Sequence, residues 1–148
     1  MGEDRRDLAP ERCNLLALRQ ATRRATQFYD EILAPSGVRG TQFSILARLR
    51  RNGPATIGEM ARLLVMDRTT LGRNLEPLQR QKLVTLRPGQ DKRQREIHLT
   101  AKGVAATDKA LPLWQQAQTG FEARYGAEAA ARLRAMLRDV TRIAPAAE

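Results

Sequence analysis

Asp67-Arg68-Thr69-Thr70-Leu71-Gly72-Arg73-Asn74-Leu75 offers one apolar face and one basic, hydroxyl-rich face. Downstream, the loop Pro88-Gly89-Gln90-Asp91-Lys92-Arg93-Gln94-Arg95 places three cations within four residues. The chemistry these side chains offer is hydrogen bonding and charge neutralisation rather than bond breaking. A short helix with small polar side chains suits the major groove of DNA. A basic hairpin beside it suits phosphates or the minor groove.

Each candidate has a bland alternative. Arg73 can fork onto a guanine edge or a phosphate, or pair with Asp67 or Glu76. Thr69 and Thr70, with Arg68 beside them, sit in a first helical turn, where N–H groups and side chains meet phosphates or base edges. For one of the two threonines the role is simple capping. Arg93 is the wing residue best suited to minor-groove insertion, and it can also brace the hairpin against Asp91. Lys92 and Arg95 read as phosphate contacts or as solubility charges.

Positioning these residues takes helices and a hairpin. Leu15, Leu18, Ala21, Ala25, Phe28, Tyr29, Ile32 and Leu33 recur at three and four, which predicts a long helix over about residues 8–34. Phe43, Leu46 and Leu49 mark a second helix, stopped at Asn52-Gly53-Pro54. Thr56-x-x-Glu59 is a capping box for a third. Asp67 caps a fourth, with Leu71, Leu75 and Leu78 buried. Leu83–Arg87 and Arg95–Thr100 alternate as strands around a Pro88-Gly89 turn. Thr100 caps a fifth helix carrying Val104, Leu111, Trp114, Phe121 and Tyr125, ended by Gly126. Leu133, Met136, Leu137, Val140 and Ile143 make a sixth. The fold class is mainly α with a small β-wing. It is one domain over 1–148: a winged helix-turn-helix at 41–100, with dimerisation helices at 8–34 and 101–143. Those flanking helices carry more apolar stripe than a 50-residue module can cover, so a twofold dimer is expected.

Charge supports a polyanionic partner. The chain has 26 Lys and Arg against 16 Asp and Glu, a net of +10. Residues 48–100 hold 12 cations against 5 anions, so most of the excess sits in the middle third. There is no apolar run of membrane-span length and no secretion-like N-terminus, so a cytoplasmic protein without membrane contact is expected. His98 is the only histidine and has no ligand cluster at metal spacing. No Gly-rich phosphate loop and no G-x-S-x-G occurs, so neither a cofactor nor an enzyme is expected.

Asp67-x5-Arg73, Leu78, Leu83-Val84, Asp91-x-Arg93 and Leu99-Thr100-x-x-Gly103 together resemble the MarR family of bacterial transcription regulators, over nearly the whole chain. The resemblance implies a homodimer with recognition helix and wing on DNA, and a small-ligand pocket between the DNA-binding and dimerisation parts. Two positions depart from the family pattern. Lys82 stands where such chains usually carry Gly, and Pro77 interrupts the recognition helix, removing the bond to the Arg73 carbonyl. Some relatives sense peroxides through one cysteine near the start of the first helix, held by tyrosines along it. Here those spacings hold Ala17 and Gln27. Cys13 therefore reads as a buried residue on an apolar helix face that gives no peroxide response.

The expected function is a homodimeric repressor on a pseudo-palindromic operator, released by a small organic effector whose site the sequence does not locate. The alternatives are an architectural DNA-coating protein without effector and a Cys13-based redox-sensing regulator.

Overall fold

The computed structural model describes residues 9–144. Its elements run α1 (Asn14–Leu33), α2 (Gly40–Asn52), β1 (Ala55–Thr56), α3 (Ile57–Leu63), α4 (Arg68–Arg80), β2 (Val84–Pro88), β3 (Arg95–Leu99), α5 (Ala101–Tyr125) and α6 (Ala127–Val140). The architecture is mainly α with one small antiparallel sheet, ordered β1-β3-β2. Leu86 opposes Ile97 and Val84 opposes Leu99, so the alternating apolar residues face the helices. Ala55 pairs with Ile97 on the other edge of β3. That two-residue strand carries no alternation and is absent from the sequence reading, because period two needs more residues to show itself.

Three helix starts follow from local side-chain chemistry. Thr56 Oγ1 accepts the Glu59 N–H at 3.1 Å, and Glu59 returns by accepting the Thr56 N–H at 2.8 Å. Asp67 accepts the Thr70 N–H at 2.8 Å, and Thr100 Oγ1 accepts the Gly103 N–H at 2.9 Å. Each cap satisfies an N–H that the helix itself leaves open. Leu71, Leu75 and Leu78 form the buried stripe of α4 and join Leu46, Met60, Val84 and Ile97 in one core.

Three expectations need correction. The first helix starts at Asn14, not near position 8, which lies outside the described residues. A 3₁₀ turn, Pro10–Arg12, precedes it, and Cys13 is extended there. Cys13 is consequently exposed at the N-cap, its sulfur accepting the Leu16 N–H at 3.4 Å, rather than buried on an apolar face. The first strand shifts by a residue to Val84–Pro88, and the second starts at Arg95 as expected but loses Thr100, which caps α5. The third correction concerns α5. Its fully buried residues are Gly103, Thr107, Ala110 and Ala117, whereas Leu111 and Tyr125 are 41% and 52% exposed. Small side chains let α1 and α2 approach α5 closely, and the bulkier Trp114 and Phe121 pack at the margins against Phe43 and Phe28.

Candidate nucleic-acid interface

The exit from α3 and the exit from α4 are built alike. Met66 N–H donates to the Ala61 carbonyl at 2.9 Å, and Leu83 N–H donates to the Leu78 carbonyl at 2.9 Å. Both closures put the preceding residue in the left-handed region, Val65 at φ 52° and Lys82 at φ 58°. Neither is a glycine, so both are strained. At Lys82 the conformation is pinned from outside: Thr100 Oγ1 donates to the Lys82 carbonyl at 2.7 Å, and Thr100 N–H donates to the Leu83 carbonyl at 3.1 Å. The departure from Gly therefore leaves the glycine-like helix end in place. Pro77 lies within α4 past the polar half and does not end the helix.

Burying Leu71, Leu75 and Leu78 turns Arg68, Thr69, Arg73 and Glu76 outward. Among the described residues Arg73 makes no ion pair, with Asp67 or with Glu76. Asp67 is committed elsewhere: the Thr70 hydroxyl donates to its second oxygen at 2.6 Å. These bonds from the Thr70 hydroxyl and then its N–H hold the Asp67 carboxyl below the usual range. Thr70 thus spends its hydroxyl on the cap, while Thr69 makes no side-chain hydrogen bond among the described residues.

At the wing tip, Asp91 Oδ1 accepts the Arg93 N–H at 3.0 Å and the Asp91 carbonyl accepts the Gln94 N–H at 2.8 Å. Gly89 N–H closes the loop on the Gln94 carbonyl at 2.8 Å. The expected Asp91–Arg93 brace is present and runs through the Arg93 backbone, which leaves the Arg93 guanidinium without an ion pair among the described residues. Lys92 and Arg93 are exposed. Arg95 is exposed too, although its guanidinium reaches back to the Leu86 carbonyl at 3.4 Å. Arg68, Arg93 and Arg95 converge on one cleft between α3, α4 and the wing. Arg62 lines it as well, a residue that sequence reasoning passed over because it sits between apolar positions of α3.

A second cavity of about 300 Å³ lies between α1, α2 and α5, walled by Ala25, Tyr29, Thr41, Ser44 and Trp114. Tyr29 donates to Gln118 Oε1 at 2.6 Å, and Gln118 Nε2 donates to Glu122, which pairs with Arg134 of α6. Partial burial and the Glu122 carboxylate push the Tyr29 phenol up. Among the described residues no group of His, Cys, Asp and Glu is placed to hold a metal, and no helix is long and apolar enough to cross a membrane.

A paired helix with outward cations and hydroxyls, beside a rigid basic hairpin, defines a winged helix-turn-helix protein. The chain belongs to the MarR family, a family of DNA-binding transcription regulators rather than an enzyme class. The MarR family model matches residues 36–94. The M. tuberculosis transcriptional regulator MosR, in complex with DNA, is 40% identical with a TM-score of 0.79, over 87% of this chain and 93% of that one. A mutant MarR from E. coli complexed with operator DNA is 26% identical with a TM-score of 0.77, over 90% and 98%. The transcriptional repressor NicR of Pseudomonas putida is 30% identical over 100 residues, 67% of this chain. The match spans 63% of NicR.

Proposed function

We propose that two copies of this chain bind a pseudo-palindromic operator in the cytoplasm and repress transcription by occluding a promoter. The observation that carries this reading is the pairing of two exposed basic elements. The outward face of α4 holds Arg68, Thr69 and Arg73, with Thr70 in its first turn, and the wing holds Lys92, Arg93 and Arg95. The DNA complexes of MosR and E. coli MarR lend support, since both share this architecture. In this reading α4 enters the major groove and Arg93 the adjoining minor groove, while Lys92 and Arg95 hold phosphates. The cavity beside Tyr29 and Trp114 takes a small organic effector. It lies between α2, the first helix of the winged helix-turn-helix, and the long helices α1 and α5, so filling it shifts the spacing of the two recognition helices.

The test is a pair of substitutions at the wing. Arg93→Ala weakens operator binding by about 1–3 kcal/mol per half-site and relaxes preference at the contacted step. Lys92→Ala weakens binding to all duplexes alike and lowers the salt slope by about one. Unchanged binding in both variants moves the DNA face elsewhere.

A further inference from the structure

Four arginines line the cleft between α3, α4 and the wing: Arg62, Arg68, Arg93 and Arg95. Its volume is about 380 Å³. The one carboxylate lining it, Glu59, already accepts the Thr56 N–H at 2.8 Å as part of the α3 capping box. That hydrogen bond, and then the Thr56 side chain, hold Glu59 ionised below the usual carboxylate range. Four positive charges therefore face one negative charge, and none of the four arginines makes an ion pair among the described residues. Gly58 leaves the space that lets Arg68 lie across α3: a Cβ there would stand 3.3 Å from the Arg68 guanidinium. Arg95 is turned along its own hairpin by its bond to the Leu86 carbonyl.

Like charges lining one cleft repel one another, and a shared oxyanion relieves the repulsion while taking forked hydrogen bonds from several arginines at once. We propose that Arg62, Arg68 and Arg95 form one phosphate-binding cleft, with Arg93 beside them left to the minor groove, and that an occupying phosphate group ties the wing to the helix-turn-helix. The inference rests on the DNA-binding reading and adds Arg62 and a shared anion to it. The group comes from one of two sources, the operator backbone or a free phosphate in solution. In either case the phosphate bridges two parts of the fold, because Arg95 comes from the wing while Arg62 and Arg68 come from α3 and α4.

The experiment uses the full chain and three variants, Arg62→Ala, Arg93→Ala and Arg80→Ala. Arg80 is exposed on α4 and does not line the cleft. DNA-free protein is titrated with inorganic phosphate against chloride at matched ionic strength, and operator binding is followed across a salt series. Circular dichroism checks that each variant keeps its fold, which is expected because Arg62 is exposed. Saturable phosphate binding in wild type and Arg80→Ala, at least ~tenfold weaker in Arg62→Ala, establishes the cleft with free phosphate as an occupant. No saturable phosphate binding, with the operator salt slope lowered by about one in Arg62→Ala, establishes the backbone phosphate as the occupant. If Arg62→Ala matches wild type in both arms, the cleft is not a phosphate site. In that event weakened operator binding by Arg93→Ala shows that the DNA-binding reading survives, and unweakened binding shows that both fall together.

Discussion

Asp67 sets the first turn of α4 through two oxygens, one on the Thr70 N–H and one on the Thr70 hydroxyl. Its carboxyl is held below the ordinary value of 3.8, so the folded form binds its proton less readily than the unfolded chain does. The stabilisation is thus fully present above pH 3.8 and is lost as pH falls through the lower folded value. Asp67→Asn keeps a capping oxygen but cannot titrate. Denaturant melts from neutral to acid pH are expected to show a smaller loss of stability below pH 4 in this variant than in wild type. The capping residues Thr56, Asp67 and Thr100 were all legible in the sequence, because an N-cap is a local contract between neighbours. Cys13 was not. Sulfur is an uncommon cap, and the apolar spacing of the residues after it suggested that the helix had already begun. Its exposure removes burial as the ground for expecting no peroxide response.

The elements of the DNA-binding half are held by two strained exits and one close approach. Lys82 occupies the left-handed region that costs an L-residue about 1–2 kcal/mol. Lys82→Gly is expected to raise stability by about 1 kcal/mol, part of the gain being offset by the greater freedom of Gly in the unfolded chain. A lower melting temperature in that variant would show that the strain at Lys82 is already relieved. Gly103 is the opposite case. A Cβ there would run into the backbone carbonyl of Leu83, which is fixed between α4 and β2. Gly103→Ala is expected to cost about 1–3 kcal/mol or more, read by the same melts. The motif Leu99-Thr100-x-x-Gly103 was visible in the sequence, but its cause was not, since a clash with a carbonyl twenty residues upstream leaves no local pattern. The burial of α5 was hidden for a related reason. Ala110 and Ala117 add little to an apolar periodicity, yet they set how closely the long helices meet. The cleft with Arg62 is likewise a product of three elements meeting, so spacing along the chain could not reveal it.

At the scale of the whole molecule, one chain leaves large apolar side chains uncovered near both of its ends. Leu15, Met136 and Ile143 are 64%, 67% and 73% exposed, and Leu137 and Val140 beside them are also exposed. All lie at the ends of the chain, on α1, on α6 or just past it, where a twofold partner is expected. Sedimentation at micromolar concentration should give a dimer, and the double variant Met136→Glu, Ile143→Glu should give a monomer with weakened operator binding. A wild-type monomer that still holds its operator tightly would remove the partner from the account.

Specificity is the claim on which the rest depends, because a basic winged protein can also coat DNA indiscriminately. The direct measurement is to select the preferred duplex from a random library and then compete it against scrambled duplex at one fixed salt concentration. The account predicts a preference of at least about 10³-fold for the selected site, with two half-sites centred about one helical turn apart. Equal affinity for selected and scrambled DNA would contradict it and leave a protein that binds phosphates without reading sequence.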